Sequence, residues 1–200
     1  MILKMNIEYL INLIIVINIV LTISANIPLA GQTFKKKLQP VQTKANSYLQ
    51  GLPKTISTII FILIILGLFG IGKVQIDLEF IKILRVLSAI LFVIFSWVQI
   101  YSIKQLGEFY SPDIVIYKTH QIIDKGFFKL IRHPIYLSQV LQDLFAGIAL
   151  MNLPIVILSL FVEIPLYIGR ANLEEKFLEK NLSEFSEYKK RTGKWLPKIF

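Results

Sequence analysis

The sequence predicts an all-α integral membrane protein of about five transmembrane helices with a cytoplasmic, amphipathic C-terminal helix. Three observations lead there. Hydrophobic residues make up 54% of the 200 residues and the mean hydropathy is +0.63, too apolar for a domain with a water-facing surface. The apolar residues fall in blocks long enough to cross a bilayer. Lys and Arg gather in alternate connections between those blocks.

Taken in order, the first predicted span runs from about Ile7 to Ala30. Its apolar run continues past a signal-peptide core, and only Lys4 precedes it, which favours a retained span. A polar segment, Gln32 to Lys54, follows with Lys35, Lys36 and Lys37 adjacent. The second span is about Thr55 to Gly72. The third is about Phe80 to Ile103, with Trp97 and Tyr101 placed as interfacial aromatics. The stretch from Ile135 to Gly169 is too long for one span and predicts a helical hairpin turning at Met151-Asn152-Leu153-Pro154. From Arg170 to Phe200 a charged helix with a short tail carries Leu173, Phe177, Leu178, Leu182 and Phe185 at helical spacing. Residues 1–103 thus form an N-terminal part of three spans, and residues 104–200 a core of loop, hairpin and C-terminal helix.

Five spans place three segments on one side: Gln32–Lys54, Lys104–Pro134 and the C-terminus. They hold 5, 5 and 8 of the 22 Lys and Arg residues. This side is the expected cytoplasmic face, and anionic lipid accounts for the net charge of +9 better than nucleic acid does. With no cysteine, disulfides and thiol chemistry are excluded; with two histidines, a histidine metal cluster has little scope, and no metal is expected.

Two clusters carry chemistry. The first runs from His120 through Gly126 to Arg132-His133-Pro134 and Tyr136. Gly126 permits a tight turn and a close backbone approach. Pro134 suits the first turn of the next helix, and Arg132 and His133 then lie beside a helix N-terminus that favours an anion. Taken singly, these residues also suit anchors of a helix end; the whole spacing argues for a binding loop. In the second cluster, Glu163, Tyr167, Arg170 and Glu174 stand at i, i+4, i+7 and i+11. They share an arc of about 60° on an otherwise apolar helix. Glu163 and Asp143 lie at membrane depth and predict bundle-facing carboxyls, either pairing between helices or serving a site. Arg170, Glu174 and Glu175 fall at the membrane surface, where ordinary i,i+4 pairing is the plain alternative.

The run His120 to Tyr136 resembles the H-x5-G-x-Y-x3-RHP-x-Y segment of isoprenylcysteine carboxyl methyltransferases and their prokaryotic relatives. Arg170-Ala-Asn-Leu-Glu174-Glu175 is similar to their R-x3-EE, and Phe185 to Pro197 to their F-x2-Y-x-x-R…LP ending. Leu106-Gly107-Glu108-Phe109 is similar to an upstream LG-x-x-F. Phe128 departs from the pattern, standing where the family has Tyr. The resemblance covers about Trp97 to Phe200. It implies an S-adenosylmethionine-dependent membrane methyltransferase with His120, Gly126, Arg132, His133, Pro134, Tyr136 and Glu175 as cofactor-binding residues. It also implies catalytic roles for Arg170, Glu174 and Glu175, with Arg170 orienting the acceptor. The implied partners are the bilayer and a lipidic or prenylated acceptor, methylated on a carboxyl oxygen.

Three other readings stand beside it. A lipid N-methyltransferase would need a base such as Glu163, Glu174 or Glu175. An NADPH-dependent sterol-reductase-like enzyme shares the RHP region, but the expected Arg, Asp and His around a nicotinamide site are missing. A non-enzymatic relative would have no use for an intact Arg170, Glu174, Glu175 and His133.

Overall fold

The computed structural model describes residues 7–36, 41–76, 78–118 and 120–198. Lys4 and Lys37 of the charge count, and the last two residues of the tail, lie outside these. The helices are α1 (Ile7–Lys36), α2 (Leu52–Leu68), α3 (Glu79–Leu106), α4 (Pro134–Ala149), α5 (Leu153–Leu158), α6 (Ile164–Asn181) and α7 (Phe185–Arg191). Prolines sit in the first turns of α2, α4 and α5, where a missing N–H costs nothing. At the start of α5 the Asn152 side chain accepts from the Ile155 N–H at 3.3 Å, and the chain reverses after Met151 in a left-handed conformation (φ 55°).

Four stretches are long and apolar enough to cross a membrane: Ile7–Ile27, Tyr48–Leu68, Glu79–Phe109 and Leu153–Asn181. Helix α4 makes a further pass from one end of the bundle to the other. Its 16 residues give about 24 Å, short of the roughly 30 Å hydrocarbon core. The protein is a multi-pass membrane protein. Its apolar exterior agrees: Val16, Ile17, Val20 and Leu21 on α1, Ile62 on α2 and Phe161 near α6 all face outward. The interior is a seam of Ile11, Ile15 and Ile19 against Ile60, Ile64, Ala89, Phe92, Ala146, Ala149 and Ile155. Small residues on α4 let it lie close to α3.

Each end of the bundle is tied by different means. At one end, Val74 N–H donates to Met151 O at 2.9 Å, Asn152 Nδ2 to Ile71 O at 2.8 Å, and Arg85 Nε to Ala149 O at 2.9 Å. An ion pair between Lys73 and Glu8 adds α1 to that end. At the other end, β1 (Val41–Lys44) pairs antiparallel with β2 (Val115–Tyr117), Thr43 opposite Ile116. Asp113 takes ammonium groups from both Lys44 and Lys54 at 2.7 Å. The two loops placed on one side by their charge therefore meet at one end, and the C-terminal segment joins them there.

Two features differ from the sequence reading. The two-stranded sheet is an addition to the all-α plan, its strands being too short and too far apart in sequence for a periodic signal. The predicted separate C-terminal helix from Arg170 is instead the upper part of one rod, Leu153–Asn181, in which a π-helical turn at Ser159–Glu163 joins α5 to α6. The rod stops at Leu182, whose backbone is extended, and α7 then folds back with Phe185 and Tyr188 buried.

Candidate active site

The first motif cluster is folded by contacts with distant segments. Gly126 has φ 57°, and a Cβ there would fall 1.6 Å from Gln105 Nε2; Gln105 Oε1 takes the Phe127 N–H at 3.1 Å. This glycine thus lets α3 close over the loop. Tyr188 donates its hydroxyl to Phe128 O at 2.7 Å, fixing α7 to the same loop. The backbone of Arg132 donates to Gly193 O at 2.9 Å, and Gly193 returns a bond to Leu130 O at 3.1 Å. Residues 130–132 and 193 so form a short bridge that draws the C-terminal tail across the motif.

Glu175 organises the two basic residues. Its Oε1 accepts from Arg132 Nε at 2.8 Å and lies 3.0 Å from His133 Nε2. All three side chains are buried, as pairing and satisfaction require of charge away from water. The other His133 nitrogen, Nδ1, lies 3.7 Å from Glu174. The imidazole is sandwiched by Tyr136 and Trp195, each with ring centres 5.4 Å away. Arg132 also donates through Nη1 to the carbonyls of Lys189 and Thr192.

The polar stripe on the last rod faces inward as its spacing predicts: Tyr167, Arg170 and Glu174 line one cavity, and Glu163 is fully buried behind it. Arg170 is 3% exposed. Its Nε donates to Tyr136 Oη at 2.9 Å, its Nη1 to Leu49 O at 2.9 Å and Gln50 O at 2.7 Å, and its Nη2 to Pro112 O at 2.6 Å. Every one of these acceptors is neutral, and among the described residues no carboxylate forms an ion pair with this guanidinium.

Two adjoining cavities surround these groups. The larger, about 250 Å³, is bounded by Arg132, His133, Pro134, Tyr136, Arg170 and Glu174, with Ser57, Gln99, Tyr110, Gln139 and Tyr167 completing it. The smaller, about 110 Å³, is bounded by His120, Gln121, Ile122, Phe109 and Leu178 and shares Phe128, Arg132, His133 and Glu174 with the first. Together they reach the lower end of the roughly 300–1,000 Å³ typical of small-molecule sites. His120 stands between the rings of Phe109 and Tyr117, and its Nδ1 has no partner among the described residues. Burial lowers its pKa from the ordinary histidine value, partly opposed by Glu174. Burial also raises the pKa of Tyr110, against the influence of Arg170.

Of the residues singled out in the sequence, His120, Arg132, His133, Pro134, Tyr136, Arg170 and Glu174 border these cavities. Gly126 and Glu175 do not: the first shapes the loop and the second stands behind Arg132 and His133. Sequence reasoning assigned no role to Ser57, Gln99 or Tyr110, and reached Gln139 only as a polar neighbour of Asp143. Gln99 and Gln139, polar residues inside apolar helices, offered a signal; Tyr110 and Ser57 offered none. Among the described residues no group of His, Cys, Asp and Glu converges as a metal site.

Residues 88–180 match the isoprenylcysteine carboxyl methyltransferase (ICMT) family. The match and the motif resemblance fall on the same segment of the chain. The match begins in α3 and ends at the last turn of α6, so it takes in every wall of both cavities except those given by residues 54–57 and by α7. ICMT-family enzymes are S-adenosylmethionine-dependent methyltransferases, and the chain is a membrane methyltransferase with that methyl donor. No match was found among curated proteins.

Proposed function

We propose that the protein transfers a methyl group to the carboxylate of a lipidic acceptor, an isoprenylcysteine or a similar lipid-linked acid. The observation that carries this reading is Arg170. A guanidinium that is buried, bonded only to neutral oxygens and set in a cavity wall retains a positive charge for an anion to complete. An anionic acceptor satisfies that requirement; an amine does not.

A route for the lipid supports the same reading. An apolar groove of about 210 Å³ between α4 and α6, lined by Leu137, Val140, Leu141, Ile164, Ile168 and Trp195, reaches the cavity at Tyr136 and Tyr167. A hydrocarbon tail lies in this groove with the carboxylate held toward Arg170.

Cofactor fit rests on polar groups in the cavity walls. The partnerless Nδ1 of His120 and the Glu174 carboxylate, which faces both cavities, suit a ligand rich in donors and acceptors such as S-adenosylmethionine. In this scheme His120, Arg132, His133, Pro134 and Tyr136 bound the cofactor, and Gly126 shapes the loop that covers it. Glu175 holds Arg132 and His133 in place. Glu174 accepts hydrogen bonds from the cofactor. When bound, the cofactor would supply a methyl on a sulfonium; the carboxylate oxygen would take the methyl, the neutral thioether would leave, and no general base would be needed. The chain contributes alignment, through Arg170 at the acceptor and the Arg132–Glu175–His133 unit at the donor. The end of the bundle that carries most Lys and Arg is the cytoplasmic one.

The test uses purified protein, methyl-labelled S-adenosylmethionine and a mixed lipid extract. A carboxyl methyl ester releases its label as methanol in mild base, whereas an N-methyl product keeps it. Base-labile label supports the proposal. Base-stable label would overturn it in favour of N-methylation.

A further inference from the structure

The guanidinium of Arg170 is held in part by a stretch of chain that lies outside residues 88–180. Two of its acceptors, Leu49 O and Gln50 O, belong to a short turn (Tyr48–Gln50) just ahead of α2. The third carbonyl, Pro112 O, comes from the loop that leads into β2. A guanidinium has five N–H groups in one plane. With one N–H to each carbonyl and one to Tyr136 Oη, four are taken. The fifth, on Nη2, has no acceptor among the described residues. The direction of that last N–H follows from where the three carbonyls stand.

One side chain joins the two segments that carry them. Gln50 is buried and borders none of the cavities described above. Its Oε1 accepts from the Ile114 N–H at 2.9 Å, and its Nε2 donates to Ile114 O at 3.2 Å and to Ala45 O at 2.7 Å. The carboxamide pairs with Ile114 as a neighbouring strand would, extending the β1–β2 ladder past the bond from Ala45 N–H to Ile114 O at 3.1 Å. A two-stranded ladder this short is marginal by itself, so the turn and the loop depend on a further tie. Ile114 is two residues from Pro112. Gln50 therefore takes Nη1 of Arg170 with its own carbonyl, and its carboxamide fixes the loop whose carbonyl takes Nη2. A shift of either segment turns the guanidinium plane.

We propose that Gln50 is a positioning residue for Arg170: its carboxamide locks residues 48–50 to residues 112–114 and so aims the free N–H of Arg170 at the acceptor's carboxylate. This rests on the reading of Arg170 given above. It adds a residue that touches neither acceptor nor cofactor and acts only through the guanidinium.

The test measures base-labile methylation of N-acetyl-S-farnesylcysteine by the purified full chain in four forms: unaltered, Gln50→Leu, Arg170→Ala, and the two combined. Gln50→Leu is expected to lower kcat/KM for the acceptor by about tenfold or more when Arg170 is present, the cost of a misaligned contact. With Arg170 already replaced by Ala, the same change costs less than about twofold, because two residues acting as one unit are not additive. S-adenosylmethionine affinity, measured by calorimetry, stays the same in both backgrounds. A residue that only closed the sheet would cost the same factor in either. Gln50→Asn, whose amide is one methylene too short to span to Ile114, carries the same comparison if Gln50→Leu does not fold. An unchanged kcat/KM in both Gln50 variants, equal losses in the two backgrounds, or an equal loss of S-adenosylmethionine affinity overturns the positioning role and leaves carboxyl methylation standing. No base-labile label from the unaltered chain, with the cofactor bound, overturns the carboxylate reading and this inference together.

Discussion

The two ends of the bundle use the same chemical vocabulary for different purposes. Arg85 and Arg170 both donate to main-chain carbonyls of a neighbouring segment. At the Arg85 end, the bonds tie the turns of the chain together: Asn152 caps a helix and grips Ile71, and Lys73 meets Glu8. At the Arg170 end, the bonds leave a cavity between them, with a cation, a histidine nitrogen and a carboxylate on its walls. A cluster of polar residues in a membrane protein is thus no mark of a site by itself. The mark is polar capacity that the fold leaves open to a cavity.

The sharpest way to break this contrast is Arg170→Ala. If Arg170 serves the acceptor, kcat/KM for carboxyl methylation falls by more than about 100-fold, as expected on losing charged hydrogen bonds. The loss of its carbonyl partners also lowers the thermal midpoint. Arg170→Lys keeps the charge but not the planar fork and recovers little of the rate. Full activity in Arg170→Ala would reduce this residue to a tie like Arg85. Next in size, Glu175→Gln removes the charge that holds Arg132 and His133, and S-adenosylmethionine affinity measured by calorimetry falls about 10-fold or more. An unchanged affinity would mean the unit serves only the C-terminal tail.

At the tied end the effects are on stability alone. Asn152→Ala loses a helix cap and leaves Ile71 O without its donor, costing about 1–2 kcal/mol in thermal or denaturant unfolding, with cofactor affinity unaltered. A loss of cofactor affinity there would show that the two ends are coupled. The smallest effect belongs to Asp113. Burial works against its ionisation, but Lys44 and Lys54 together lower its pKa from the ordinary aspartate value. A carboxyl whose pKa is lower in the folded state stabilises the fold above its unfolded pKa. That contribution is lost as pH falls through the folded value. Asp113→Asn therefore costs less than about 1 kcal/mol at neutral pH, since the pair is partly exposed. The difference from the unaltered protein shrinks to nothing in acid below the ordinary aspartate range.

Much of the Arg170 end was legible because its residues are close in sequence or locked in helical phase. The interval from His120 to Tyr136 is one loop and one helix start, and Tyr167, Arg170 and Glu174 keep the helical period through which they share a wall. The sidedness of the Lys and Arg residues likewise anticipated which loops would meet. What stayed hidden depends on long-range packing. Ser57 joins the cavity because α2 lies against the last rod, and Gln99 does so because α3 lies against α4. No local pattern encodes either contact. The pairing of residues 41–44 with 115–117 spans two helices, and the partnership of Glu175 with Arg132 and His133 bridges more than forty residues. Glu174 and Glu175, alike in sequence, separate only in the fold, one facing the cavities and the other supporting their wall.

The π-helical turn gives the last rod a property of a different kind. Buried Ile155, Ser159, Glu163 and Tyr167 recur every four residues through it, a spacing that a regular α-helix would carry steadily around its axis. One residue more than an α-helix needs is accommodated there, and it sets the phase of everything that follows. Removing a single residue from Ser159–Glu163 would regularise the helix and rotate its remainder by about 100°. Tyr167, Arg170 and Glu174 would then sweep off the cavity with no side chain altered. Along this stretch the count of residues carries as much of the site as their identity does.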